Sequence, residues 1–325
     1  IGFSNQIVNV PDNTGHNIKL FIEPDTLPHI LKAQFVASGK AVITFTAPVK
    51  NFQFRLLPAA STDLKDLLFE KSVTYDTVFV YCTDTLVDSL HAVILNGTTV
   101  VDTIHVNLKP RISTRGRGDI LTNTILMNAN LAGDVLEMPA RLILRFSSPV
   151  KSFDASQFKL TKDSVTIVPF TAEPIDSLKK NYHIIFKAEE NKQYRLLIPS
   201  NSITDIFNHH NDTINITFRT REEREYANVI LNFTTAAYDF NYIIQLLTEN
   251  DAVVKEVTIT KSQKINFEYV LPGKYKIRII DDENRNGKWD TGNYWRRVQP
   301  ENVFYYPEII STRSNWDVDL NWILK

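Results

Sequence analysis

The chain has 325 residues, with 36 Lys and Arg against 37 Asp and Glu, and a net charge of -1. That balance supplies no field to draw in nucleic acid or an anionic membrane, and the length suits two or three domains of about 100 residues, each able to bury a core. A single cysteine, Cys82, excludes a disulfide within the chain, and no run reaches the ~18 apolar residues that a membrane span needs.

Residues 1–23 hold two short β runs, 6–10 and 18–22, around the turn Pro11-Asp-Asn-Thr-Gly15. They read as the end of an upstream domain or as an edge hairpin of the next one. The start at Ile1-Gly2-Phe3, without Met and without a basic, apolar leader, gives the expectation of a processed form or an excised part of a longer protein.

Across 24–109, strand signals follow at 33–36, 41–46, 52–56, 77–81, 91–95 and 103–108, separated by turns such as Ser38-Gly39-Lys40 and Asn96-Gly97. Short alternating runs at this spacing predict an antiparallel β-sandwich. Apolar residues three and four apart in Thr62-Asp-Leu-Lys-Asp-Leu-Leu-Phe69 predict one or two helical turns. Cys82 ends a β run and is expected to be a buried apolar filler.

Residues 110–119 form the clearest linker, with Arg111, Arg115 and Arg117 set among Ser, Thr and Gly. The arginines are expected to be solvated, the alternative being an anion patch. From 120 to 222 the earlier plan repeats: Ala140-Arg-Leu-Ile-Leu-Arg-Phe-Ser-Ser-Pro-Val150 has the shape of Ala41-Val-Ile-Thr-Phe-Thr-Ala-Pro-Val49. Runs at 158–160, 165–168, 183–186, 194–198 and 214–218 complete a second sandwich of the immunoglobulin type. The adjacent His209 and His210 cannot easily ligate one metal and are expected in a solvated loop.

The order Phe146-Ser-Ser-Pro-Val150, Tyr194-Arg-Leu-Leu-Ile-Pro199, then Asp205-Ile-Phe-Asn208 with Asn211-Asp212 resembles the Big_5, or SbsA-type, bacterial immunoglobulin-like domain. A third domain over 223–325 has strand runs at 228–233, 242–247, 253–257, 265–269 and 271–280, and its Leu271-Pro-Gly-Lys-Tyr275 step is similar to that of prealbumin-like sandwiches. Its tail, with Asp281 to Gly292, Gln299-Pro-Glu301 and Arg313-Ser-Asn-Trp-Asp-Val-Asp319, resembles the C-terminal region of immunoglobulin-like lipoproteins of Bacteroidota cell envelopes. The resemblance implies an extracytoplasmic protein at the outer membrane or in the periplasm. It also implies a membrane attachment only through a lipid anchor missing from this sequence, a protein partner, with an outer-membrane β-barrel complex as one candidate, and no catalytic residue set.

The loop Asp281-Asp-Glu-Asn-Arg-Asn-Gly-Lys-Trp-Asp290 leaves the last of these strand runs. Side-chain oxygens recur at Asp282, Asn284 and Asn286, followed by Gly287 and Asp290, which is the order in which an EF-hand loop collects calcium ligands at positions 1, 3, 5 and 9 with Gly at 6. The carbonyl of Lys288 would be position 7, and position 12 falls on Asn293 instead of the bidentate Glu. The loop therefore reads either as a metal-free Asx turn or as a weak calcium site, with calcium as the one cofactor candidate.

All four tryptophans lie in the tail, together with several tyrosines. Trp289, Tyr294, Trp295, Tyr305 and Tyr306 are the candidate contact residues, since aromatic rings anchor interfaces; the alternative is that they pack on the last sandwich. Trp289, Tyr294 and Trp295 also suit a carbohydrate-binding module. No Gly-x-Ser-x-Gly elbow, Walker A loop, His-Glu-x-x-His or Gly-x-Gly-x-x-Gly occurs. The sequence thus predicts tandem all-β sandwiches acting as a non-catalytic envelope scaffold or binding module.

Overall fold

A computed structural model describes residues 27–57, 66–84, 86–109, 124–139, 141–163 and 165–324. The hairpin expected over 1–23, the linker over 110–119 and residues 62–65 lie outside these. The chain is all-β, a series of immunoglobulin-like sandwiches, and divides into two compact units, one within Pro24–Arg219 and one within Thr220–Lys325.

The first unit holds two cores. The first core lies between strands β1 (Ile30–Ala37), β2 (Lys40–Phe45), β3 (Phe52–Leu56), β4 (Leu67–Lys71), β5 (Thr77–Cys82), β6 (Ser89–Asn96) and β7 (Thr99–Asn107). They form sheets β1-β2-β5-β4 and β3-β6-β7. β6 shows how the sequence directs this: Leu90, Ala92 and Ile94 point inward and are fully buried, while His91 and Val93 between them are only half-buried. Cys82 is buried and free, as expected, and burial raises its thiol pKa.

The helical turn expected at 62–69 is corrected from Leu67 onward. β4 pairs antiparallel with β5, and Phe69 packs against Phe52 and Phe54 with ring centroids 5.6 and 5.1 Å away. Leu67 and Phe69 are two apart as well as part of a helical spacing, and a run this short satisfies both periods. The unpaired edge of β5 decides for the strand.

The second core lies between β8 (Met127–Ala129), β9 (Val135–Leu136), β10 (Leu142–Phe146), β11 (Val150–Phe153), β12 (Lys159–Lys162), β13 (Thr166–Ile167), β14 (Phe170–Pro174), β15 (Asn181–Phe186), β16 (Gln193–Ile198), β17 (Ile203–Asp205) and β18 (Ile214–Thr220). Sheets β14-β15-β10-β8 and β13-β12-β16-β18-β9 face each other, and β11 pairs with β17. Leu144, Leu196, Ile198 and Ile203 are fully buried, and stacked rings fill the rest, Phe153 on Tyr182 at 3.9 Å and Tyr194 on Phe218 at 5.4 Å. Packing alone holds this core.

The second unit contains β19 (Ala227–Thr235), β20 (Tyr242–Thr248), β21 (Val253–Ile259), β22 (Gln263–Val270), β23 (Gly273–Asp281), β24 (Val303–Tyr305), β25 (Ile310–Thr312) and β26 (Asp317–Leu324). One sheet is β22-β19-β26, with β26 parallel to β19; the other runs β21-β20-β23-β24, and β25 also pairs with β23. β20 is the central strand, buried from Tyr242 to Leu247. Its one polar residue there, Gln245, accepts hydrogen bonds from the Arg278 guanidinium and donates to Glu256, so it is buried but satisfied.

β23 positions the candidate site. Its first residues pair with β25 and its last with β24, where Ile280 faces Val303. Residues 282–302 are therefore one excursion between two neighbouring strands, closed at its base where the Asp281 N–H donates to the Asn302 carbonyl at 2.9 Å.

Candidate functional site

The excursion has two parts, a tight turn over 282–290 and a hairpin over 291–300. Asp282, at the end of β23, is fully buried. Its Oδ1 accepts from the Asn286 N–H at 3.0 Å, and its Oδ2 accepts from the Gly287 N–H and the Asn241 Nδ2, each at 2.8 Å. One carboxylate thus winds the chain around itself. Gly287 makes this possible with a φ of +79°, and Arg285 also lies in the left-handed region at +58°.

The other predicted ligands meet in the same turn. Asn284 Oδ1 accepts from the Asn286 N–H, and Asn286 Oδ1 from the Lys288 N–H. The Nδ2 groups of Asn284 and Asn286 both donate to Asp290 Oδ2, and the Lys288 ammonium stands 3.8 Å from Asp290 Oδ1. Asp282, Asn284, Asn286, Lys288 and Asp290 are therefore brought together. Among the described residues, no group of three or more His, Cys, Asp or Glu side chains stands where it could hold a metal ion.

A residue that the spacing did not single out joins them. Glu301 returns to the turn from the far side of the excursion: its Oε2 accepts from the Asp290 N–H at 2.8 Å and its own N–H donates to the Asp290 carbonyl at 3.1 Å. Its carbonyl accepts from the Trp289 indole at 3.2 Å. Glu301 Oε1 is closed off from solvent and receives no hydrogen bond. Burial, with Asp290 and Asp282 nearby, raises the Glu301 carboxyl above its ordinary pKa. Glu301 lies nineteen residues beyond Asp282, outside any loop spacing, and only the pairing of β24 beside β23 brings it back.

The hairpin is pinned at its neck by paired N–H and carbonyl groups of Asn293 and Val298, at 2.8 and 3.0 Å. Tyr294 and Trp295 sit at its tip, edge to face with centroids 5.6 Å apart, and the Arg297 guanidinium lies over the Tyr294 ring. Trp295 is 82% exposed, Tyr305 52% and Trp289 43%, whereas Tyr306 is half-buried and meets Trp322 edge-on at 5.5 Å. The candidate contact residues are thus divided: Trp295, Tyr305 and Trp289 present surface, while Tyr306 packs against the core of the last sandwich. Trp322 belongs to that core and is 8% exposed.

At the end of the second sandwich, a cleft of about 430 Å³ is lined by Asn208, His209, His210 and neighbours. The two rings turn to different partners, His209 Nδ1 to buried Asp205 at 3.2 Å and His210 Nδ1 to Thr204 Oγ1 at 3.1 Å. Asp205 also accepts from the N–H groups of Phe207 and His209, so it holds the turn together.

No protein-family model matches the chain, and no curated protein matches it. Among solved structures, the S-layer protein rSbsC is 13% identical with a TM-score of 0.28; the match covers 79% of this chain and 39% of that one. This chain therefore spans about two-fifths of that protein. A two-domain fibronectin type III segment of chicken tenascin is 14% identical over 57% of this chain and 98% of that one, with a TM-score of 0.19. A Bacteroides ovatus protein solved with a mixed-linkage heptasaccharide is 10% identical over 73% and 65%, with a TM-score of 0.27. At these scores the likenesses carry no argument about function, and the fold rests on the chain's own sheets. Among the described residues, no helix is long and apolar enough to cross a membrane.

Proposed function

We propose that this protein is a non-catalytic contact module of the cell envelope, related to the immunoglobulin-like lipoproteins of Bacteroidota and acting outside the cytoplasm. Its sandwiches hold the hairpin 291–300 at the end of a rigid strand pair, where Tyr294 and Trp295 meet a protein partner. An outer-membrane β-barrel complex is the partner class we favour. The observation that carries this reading is Trp295: an indole 82% exposed, on a hairpin pinned at both neck and base, does nothing for the core. Large exposed rings on rigid backbone are the usual anchors of protein interfaces. A carbohydrate platform draws less from the geometry, because the Tyr294 and Trp295 planes stand 79° apart and offer no shared stacking face.

The test is a photo-crosslinking amino acid at position 295 in the native envelope, with position 238 as control, since Tyr238 is still more open to solvent than Trp295. A discrete crosslinked envelope protein at 295, absent at 238, is the expected result. Equal labelling at both positions would overturn the reading. A tryptophan emission shift with oligosaccharides and no protein crosslink would replace it with the carbohydrate one.

A further inference from the structure

The excursion 282–302 holds four acids and four cations, and the fold sorts them by depth. Asp282 is fully buried, Asp290 and Glu301 are half-buried, and all three carboxylates accept from N–H donors of the turn 282–290. Among the acids only Glu283 is exposed, whereas Arg285, Lys288, Arg296 and Arg297 all are. Arg285 pairs with Asp239 on a neighbouring loop, and Lys288 stands beside Asp290. The tip Tyr294-Trp-Arg-Arg-Val298 is left with two cations and no acid. Its backbone is closed by the Arg296 N–H on Asn293 Oδ1 at 2.7 Å and the Arg297 N–H on the Tyr294 carbonyl at 3.2 Å. The arginines therefore stand on the same short turn as the exposed indole.

We infer that the partner face that receives Trp295 is acidic: an apolar notch for the indole, bordered by Asp or Glu side chains that Arg296 and Arg297 meet. This partner chemistry rests on the contact reading of Trp295 given above. A guanidinium presents paired N–H donors in a plane that matches a carboxylate, and Trp and Arg are the side chains that most often carry interface energy. The ring supplies affinity, while the charges set on-rate and register. With a net charge of only -1, the whole chain adds little field of its own, so the attraction is local to the tip and open to screening by salt. An anionic lipid surface has the same sign of charge. A protein face fits better, because the apolar side chains exposed at the tip are Trp295 and Val298 alone, one ring for one notch, without the row of apolar residues that lies in a bilayer interface.

Photo-crosslinking at position 295 is repeated in isolated envelopes at about 0.1 and 1 M salt, between which the Debye length shrinks from about 10 to 3 Å. It is also repeated with Arg296→Glu, Arg297→Glu or Lys274→Glu added. Lys274 is exposed at the opposite end of β23, so its reversal changes net charge equally but away from the tip. The expected result is a yield that falls about tenfold in each arginine reversal and at high salt, holds with Lys274→Glu, and maps to a partner peptide containing Asp or Glu. All three variants should melt with the parent, because these side chains lie outside the core. An unchanged yield in both arginine reversals, or an equal fall with Lys274→Glu, overturns the acidic face and leaves contact at Trp295 standing. No crosslink in the parent at either salt defeats the contact reading, and the acidic face with it. The lipid source is separated by pelleting the purified chain with vesicles of phosphatidylethanolamine and either phosphatidylglycerol or phosphatidylcholine. Pelleting with the phosphatidylglycerol vesicles alone, lost in Arg296→Glu, assigns the arginines to anionic headgroups and overturns the acidic protein; pelleting with neither supports it.

Discussion

Glu70 and Lys180 stand on different sandwiches, 110 residues apart, and the Lys180 ammonium lies 2.9 and 2.8 Å from the two Glu70 oxygens. Tyr81 donates its hydroxyl to the same carboxylate, and Lys40 reaches the other way to the Ser147 carbonyl at 2.9 Å. Both ammonium groups lie over the Phe79 and Tyr81 rings. Burial, and then the charge of Lys180, hold the Lys40 pKa down, while Glu70 opposes them. One carboxylate therefore serves two cations at the junction between the first two cores.

Glu70→Gln should be worse than Lys180→Met. Removing the negative charge leaves two neighbouring cations uncompensated and weakens the acceptor that Lys180 and Tyr81 share, at a cost of about 1–3 kcal/mol. Removing Lys180 leaves Glu70 with Lys40 and Tyr81 and relieves the repulsion between the lysines. Urea unfolding of the two variants measures the order, and a larger loss in Lys180→Met would contradict this account.

Gly39 lies at the same junction and has a φ of +72°. A Cβ there would fall 2.5 Å from Phe207 Cε1 and 2.8 Å from the Cys82 carbonyl oxygen. The ring can turn aside but the carbonyl cannot, because the Cys82 N–H is held by the Gly39 carbonyl at 2.8 Å. Gly39→Ala should cost about 2–4 kcal/mol, summing left-handed strain and overpacking. Gly287, with φ +79° and no atom within 4 Å of its added Cβ, is the control: Gly287→Ala should cost about 1–2 kcal/mol from the backbone alone. Thermal melts of both variants separate the two terms.

Tyr81, Tyr182, Tyr242 and Tyr275 all have raised pKa values, each mainly through burial, and at Tyr81 the Glu70 hydrogen bond adds to it. A folded-state pKa above the unfolded 10.0 means that the unfolded chain loses its protons first. The stability these rings contribute is complete below pH 10 and is lost as pH rises through their folded values. Lys40 acts in the opposite sense: its pKa is lowered from 10.5, so on approaching that value the folded chain holds fewer protons and gains stability. Near-ultraviolet titration should show buried tyrosines ionising only together with unfolding, and Lys40→Met should remove the gain in stability that deprotonation of Lys40 brings as the pH rises. Ionisation of all twelve tyrosines before any loss of structure would refute the burial argument.

The strands legible in the sequence are those long enough to show a period. Leu90-His-Ala-Val-Ile94 in β6 and Tyr194-Arg-Leu-Leu-Ile198 in β16 alternate over five residues, and their inward members are buried in the structure. β9 has two residues, and β8, β17, β24 and β25 have three, too few for any alternation to register, whereas the equally short β13 was legible within the β-branched run 165–168. β26 does alternate, yet its Asp317-Val-Asp319 start reads as tail because its partner β19 lies almost ninety residues earlier and runs parallel. The turn from Asp282 to Asp290 was visible because its Asp and Asn side chains repeat locally. Glu301 was not, since only the β23 and β24 pairing makes it a neighbour.

Trp295 and Trp322 are the sharpest contrast within that tail. Trp322 is 8% exposed, stands on β26 opposite Phe233, and meets Tyr306 edge-on. Removing it leaves a cavity between the two sheets, so Trp322→Ala should cost about 3–5 kcal/mol. Trp295 is 82% exposed at a hairpin tip, and Trp295→Ala should change stability by less than about 0.5 kcal/mol. Acrylamide should quench the emission that Trp295→Ala removes and spare the component lost in a Trp322→Phe variant, which keeps the core filled. If Trp295→Ala instead destabilises as much as Trp322→Ala, the hairpin is part of the core, and its rings are not free to meet a partner.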